Sequence, residues 1–158
     1  MNSKLNITNF DILFSINTEY TGDTLGCIKF GDKNNLLELS RFNDSNRISS
    51  IECIYANDIL NEYFILPDIR NTRNLKKAPF AVSYHKENDN NGFILNFNKN
   101  ELDIIFNKDL QVCYYYISDR IEYYYDDDFN LLFIKVNNLS EDEYNYFRNM
   151  TKSSNIIK

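Results

Sequence analysis

Tryptophan is absent from this 158-residue sequence, histidine occurs once, proline twice, cysteine and alanine three times each, and glycine four times. Each scarcity closes a class of explanation. The lone histidine, His85, ends a strand-like run beside Lys86, a placement that reads as surface or rim rather than as a catalyst. Cys27, Cys53 and Cys113 are odd in number and far apart, which fits reduced, buried thiols rather than a disulfide framework. They contain no C-x-x-C pair, so they do not nucleate a zinc site with His85. No stretch approaches the ~18 apolar residues of a membrane helix. The N-terminus has neither a basic region joined to a long apolar core nor a small-residue cleavage site, so the chain reads as cytoplasmic, neither secreted nor membrane-spanning. Basic residues are also in deficit, 17 against 23 acids for a net charge of −6, and bulk charge therefore draws the chain to neither nucleic acid nor anionic membrane.

What is present is asparagine, 25 times, isoleucine, 18 times, and 12 each of tyrosine and phenylalanine. These residues have A/T-rich codons, so part of the excess is mutational. The length suits one domain, residues 1–158, which at this size buries roughly 68 to 70% of its unfolded surface without metal or disulfide staples.

Period-two alternation of Phe10, Ile12, Phe14 and Ile16 predicts a strand over 9–17, followed by a turn at Tyr20 to Asp23. Strands at Leu25 to Phe30 and Leu36 to Phe42 flank a Gly31-Asp32-Lys33-Asn34 turn. Ile48 to Tyr55 adds a fourth, with Ser49, Ile51, Cys53 and Tyr55 on its buried face. The spacing changes after Asn57-Asp58, where Ile59, Leu60, Tyr63 and Phe64 predict a short middle helix stopping before Pro67. A polar loop follows over 68–78, locally +3. Further strands are expected at Phe80 to His85, Phe93 to Asn98 and Leu102 to Asn107, with turns at Glu87 to Asn91 and Lys99-Asn100. Gln111 to Ile117, Arg120 to Tyr125 and Leu131 to Val136 then complete a meander. Ser140 as N-cap, Glu143 as its capping-box partner and a Leu139–Tyr144 staple begin a C-terminal helix with Tyr144, Phe147 and Met150 inward, ending near Thr151. The breaks between strands in the second half are too short for parallel crossovers. The expected fold is thus α+β, mainly antiparallel β-meander sheet with a short middle helix and a C-terminal helix.

Motifs of chemistry fail on particular residues. Gly26 and Gly31 have the gap of a phosphate loop, but Asp32 stands where that loop needs lysine. Asp126, Asp128 and Asn130 match the start of a calcium loop, yet Leu131 replaces its glycine and Asn137 its bidentate glutamate. No catalytic residue, cofactor or metal ligand is therefore assigned.

The distinctive stretch is Gln111 to Val136. Half of the tyrosines lie between Tyr114 and Tyr125, and Asp126, Asp127 and Asp128 close the run. Residues 119 to 143 hold eight acids against Arg120 and Lys135, a local net of −6. Three aspartates at a hairpin tip are also what a merely soluble, turn-forming edge needs. Alternation nevertheless sends neighbouring tyrosines to opposite faces, so some must meet solvent or a groove, where a ring with a hydroxyl suits recognition. Tyr114, Tyr116, Glu122, Tyr124, Tyr125, Asp126, Asp127 and Asp128 are accordingly the expected partner-binding residues. Charge reversal of the aspartates is expected to spare folding, because a solvated turn makes few native contacts.

An acidic surface with aromatics, small size and free thiols resembles, in type, the small acidic immunity proteins that bacteria carry beside contact-dependent growth-inhibition and other polymorphic toxins. The stretch PFAVSYHKENDNNGFILNF, a small-residue strand, a polar hairpin and an apolar strand, has that character. The resemblance implies a cognate basic toxin protein, often a nuclease, bound in the cytoplasm, with no direct nucleic-acid or membrane contact. Two other classes stay open: a phage or plasmid counter-defence protein mimicking nucleic acid, and a small enzyme working through carboxylates alone. The cysteine pattern makes a first prediction. Mass spectrometry without reductant should return the mass of three thiols, and Cys53 should resist alkylation until the chain is unfolded.

Overall fold

The computed structural model of the chain describes residues 3–7, 13–18, 26–42, 45–57, 59–61, 75–85, 92–107 and 111–154. Within them the protein is α+β, with two mostly antiparallel sheets and one C-terminal helix. The first sheet has the order β1-β2-β5-β4-β3, from β1 (Lys4–Ile7), β2 (Phe14–Asn17), β3 (Gly26–Gly31), β4 (Asn35–Arg41) and β5 (Ile48–Ala56). The second has the order β6-β8-β9-β12-β11-β10-β7, from β6 (Ile59–Leu60), β7 (Lys76–Lys77), β8 (Ile94–Phe97), β9 (Leu102–Ile105), β10 (Tyr114–Ser118), β11 (Ile121–Tyr125) and β12 (Leu131–Val136). Helix α1 is Glu141–Ser154, three residues longer than expected. No helix among the described residues is long and apolar enough to cross a membrane.

Alternation along these strands sends one set of side chains into a shared core. Phe14, Ile16, Ile28, Phe30, Leu37 and Leu39 of the first sheet meet Leu95, Phe97, Leu102, Ile104, Ile121, Tyr123, Ile134 and Val136 of the second, with Phe147 of α1 among them. Strand β5 departs from strict alternation for a reason visible in its register. Ser40 pairs with Ser50 but Arg41 with Ile48, and Leu37 pairs with Cys53 but Leu36 with Tyr55. Ser49 and Ile54 are therefore the extra residues of two β-bulges, each of which resets the face. Ile48, Ile51, Cys53 and Ala56 all turn inward, whereas Tyr55, expected on that face, is exposed. All three thiols are free, but only Cys53 is buried as expected, which pushes it up to about 12; Cys27 is exposed and Cys113 half-buried.

Turn chemistry explains the first hairpin. Gly31 has φ +129°, and a Cβ there would stand 2.0 Å from the Asn35 carbonyl oxygen, so only glycine fits. Asp32 Oδ1 then accepts the N–H groups of Asn34 at 2.7 Å and Asn35 at 3.1 Å. The pair that spoiled the phosphate-loop pattern is thus a hairpin turn.

Several expectations need correction. Ile59 and Leu60 are not helical; they form β6, parallel to Leu95 and Asn96, because pairing onto an existing sheet outweighs a weak helical spacing. Residues 62–66, the rest of that expected helix, lie outside the described residues, as do residues 9–12, the turns at 20–23 and 87–91, and residues 68–74 of the polar loop. Lys76 and Lys77, at the end of that loop, pair in parallel with Tyr114 and Tyr115. Both parallel contacts join strands far apart in the chain, so the short breaks between successive strands did not forbid them. Phe80 to His85 is not a strand; it holds one antiparallel bridge, Val82 with Arg47. Strand β1 was not anticipated.

The helix start follows local rules. Ser140 N–H donates to Glu143 Oε2 at 2.9 Å, and Glu143 N–H donates to Ser140 Oγ at 3.1 Å, a reciprocal capping box. Leu139 and Tyr144 both pack against the core. Glu143 also receives Arg120 of the β10–β11 turn at 2.7 and 2.5 Å, and this guanidinium holds its carboxyl below the usual range. The cap therefore anchors the helix to the second sheet. Ser140→Ala should lower stability by about 0.5–2 kcal/mol, read from the urea midpoint, with Ser140→Asp close to wild type.

Candidate functional site

The β11–β12 connection, Asp126 to Asn130, is built around one carboxylate. Asp126 Oδ1 accepts the N–H groups of Asp128 at 2.9 Å and Asn130 at 2.8 Å, and Oδ2 accepts the Asn130 side-chain amide at 3.1 Å. Asp126 is thus a turn-forming residue with three native hydrogen bonds, contrary to the expectation that reversing its charge leaves the fold alone. Its carboxylate faces N–H donors, the opposite of what a calcium loop presents. Asp127 and Asp128 are exposed, and their charge is available to solvent.

This turn places Phe129 at φ +59°, an outlier for a bulky side chain that costs on the order of 1–3 kcal/mol. The conformation aims the ring at Tyr114, on which it stacks with centroids 4.0 Å apart. Tyr84 lies 5.9 Å away on another side of Phe129 and Tyr125 6.3 Å away. The Tyr84 N–H donates to the Phe129 carbonyl at 3.2 Å, joining the 80–85 segment to the hairpin tip. Tyr84 is half exposed, with 50% relative accessibility. Nearby in sequence, Phe80 is exposed beneath Arg47, whose guanidinium carbon lies 3.4 Å from the ring centroid.

The expected partner-binding residues therefore divide. Tyr114, Asp126, Asp127 and Asp128 come together at the tip. Tyr125 is fully buried and its hydroxyl accepts the Val82 N–H at 3.0 Å, so its ring does not reach a partner. Tyr116 leans on the core, with its ring 6.0 Å from the buried Tyr123. Glu122 and Tyr124 lie on the other face of the second sheet. There Tyr124 stacks on Phe133 at 4.4 Å, and Glu122 accepts hydrogen bonds from the Tyr124 hydroxyl and, at 2.9 Å, the Asn137 amide. Sequence reading missed Phe129 and Tyr84. The signal for the first was an aromatic inside the turn DDDFN, and only the fold could supply the second.

His85 is buried rather than at the rim. Its Nδ1 shares a hydrogen bond with Ser83 Oγ at 2.6 Å and faces the Leu131 N–H at 3.4 Å, while its ring meets Phe30 edge-on. Ser83 is itself fully buried, and His85 lines a cavity of about 110 Å³ with Phe30, Asp126 and Asn130. Among the described residues no three histidine, cysteine or carboxylate side chains are placed to hold a metal ion.

Carboxylates do meet on the outer face of the second sheet. Cross-strand register lines up Glu122, Lys135, Asp103 and Asn96, and Lys135 Nζ bridges Glu101 at 2.5 Å and Asp103 at 3.3 Å. Asp103 is almost wholly buried, and desolvation outweighs its attraction to Lys135, pushing its carboxyl up to about 6. No protein-family model matches the chain, and no curated protein matches its sequence.

The buried carboxylate makes a pH prediction. Because the folded pKa is raised above the ordinary 3.8, the fold holds this proton more tightly than the unfolded chain. The stability it contributes is full below pH ~4 and is lost as pH rises through ~6. The stability of Asp103→Asn relative to wild type should therefore increase between pH 4 and pH 7 by on the order of 1–3 kcal/mol in urea titrations. A difference independent of pH would refute this.

Proposed function

We propose that the protein is a protein-binding inhibitor of the immunity type, holding a basic toxin protein through the β11–β12 tip. The observation that carries this reading is the Tyr84–Phe129–Tyr114 cluster beside the exposed Asp127 and Asp128. Phe129 adopts a costly backbone conformation that brings its half-buried ring against the half-buried Tyr114 and the exposed Tyr84. Strain of that kind collects at functional sites. Aromatic rings with few rotatable bonds supply short-range anchors, and adjacent exposed aspartates supply long-range attraction for a cation-rich surface. The net charge of −6 adds to the same field. On this reading the site lies one strand further along than the tyrosine run suggested, with Tyr84 and Phe129 replacing Tyr125 and Tyr116 as contacts. The protein acts in the cytoplasm of the toxin-producing cell and performs no chemistry of its own.

The test is titration against the product of the neighbouring gene. Asp127→Lys with Asp128→Lys should slow association and flatten its salt dependence, while leaving the urea midpoint unchanged because Asp126 still holds the turn. Tyr84→Ala should instead raise the dissociation rate, by about 2 kcal/mol if the ring is a hot spot. Association rates equal to wild type at low salt, or a complex centred elsewhere, would remove the site. Absence of binding by the wild type would remove the immunity reading.

A further inference from the structure

A second surface lies at the other end of β11, where the chain passes through the Asp119–Arg120 turn instead of the aspartate tip. A groove of about 660 Å³ opens there between Ser3 to Asn6, with Asn17 and Thr18 beside them, on one side and Asp119, Arg120 and Glu143 on the other. That volume falls within the range of ligand-sized clefts. One wall thus runs over β1 and the end of β2. Strand β1 is the outermost strand of the first sheet among the described residues, pairing with β2 on one side only.

The hydrogen bonds of Ser3 show which backbone groups this edge presents. The Ser3 N–H donates to Ser118 Oγ at 2.6 Å, away from β2. Since alternate residues of a strand point their N–H and C=O groups the same way, Lys4 and Asn6 bond to β2 and Leu5 turns its N–H and C=O outward. Among the described residues, the backbone bonds made outside the strand ladders include none to Leu5. The Leu5 side chain, meanwhile, is buried in the core, and Ser3 Oγ accepts the Tyr123 hydroxyl at 2.9 Å, so the edge is held in place at both levels.

The opposite wall is equally fixed. Arg120 is committed to Glu143 and, at 3.1 Å, to the Asn138 carbonyl. Asp119 sits at φ +55° in the two-residue turn and is exposed, and Glu141 and Asp142, exposed in the first turn of α1, leave this end of the molecule acidic despite Lys4. We infer that the outer edge of β1, unpaired among the described residues and facing the Asp119–Arg120 turn across this groove, takes an extended basic segment of a partner protein as a further strand of the first sheet. Main-chain bonds to Leu5 supply the affinity and Asp119 the preference for a cation, the division of labour found when peptides add to sheet edges. The inference does not depend on the aromatic tip.

The probe is an acetylated, amidated peptide of alternating lysine and valine, added to isotope-labelled protein. Amide resonances at Leu5 and Asn6 should shift, and hydrogen exchange at the Leu5 amide should slow on the order of tenfold at saturation. The same peptide N-methylated on alternate amides should fail to bind, because its side chains remain but its edge donors do not. Asp119→Asn, which keeps a residue tolerant of the left-handed turn, should weaken binding about two- to fivefold without changing the urea midpoint. Unaltered exchange at Leu5, equal binding of the methylated peptide, or shifts confined to Asp127 and Asp128 would each overturn the proposal.

Discussion

Phe147 is the residue on which the two sheets and the helix depend together. Its ring is fully buried, 5.7 Å from Phe14 of the first sheet and 6.0 Å from Phe97 of the second, so the helix is a wedge shared by both layers. Removing a buried ring of this kind costs about 3–5 kcal/mol, a large share of a domain's stability. Everything that orients α1 therefore orients the sheets as well. The capping box sets where the helix starts, Arg120 clamps Glu143 to the β10–β11 turn, and the Tyr146 hydroxyl donates to the Leu13 carbonyl at the start of β2.

A second consequence of that layering is where charge can go. The outer face of the second sheet carries a cross-strand row of Glu122, Lys135, Asp103 and Asn96 beside a patch of Ile105, Leu132 and Phe133. Burying Asp103 there raises its affinity for a proton, whereas the more accessible Glu143, bonded to Arg120, moves the other way. Two carboxylates with opposite shifts often mark an acid and a base in an enzyme. Here each is tied to structure, one inside a lysine bridge and one in a helix cap. The exposed carboxylates at the two ends of β11 are Asp127 and Asp128, near the aromatic cluster, and Asp119, near β1.

Residue chemistry that acts within a few positions was legible in the sequence. Ser140 and Glu143 announced the helix start because a cap needs only its own first turn. Gly31-Asp32 announced a hairpin because positive φ and an aspartate bonding its own backbone are local requirements. Strand patterning located nine of the twelve described strands and put Cys53 inside, since a period of two is imposed by the strand itself.

Contacts distant in the chain decided the rest. The Ser49 and Ile54 bulges arise from the register of β4 against β5, and they turn Tyr55 out although alternation assigns it inward. Strand β1 is fixed by β2 and by Ser118, 115 residues away, and β6 and β7 exist only because a sheet edge was there to receive them. The candidate site divides on the same line. The sequence by itself determined a tyrosine-rich hairpin closing on three aspartates, since turn preference and charge are properties of the residues. Only the tertiary structure decided that Tyr125 is core, that Asp126 is a turn scaffold, and that Phe129 meets Tyr84, because each depends on which surface the neighbouring strands had already covered.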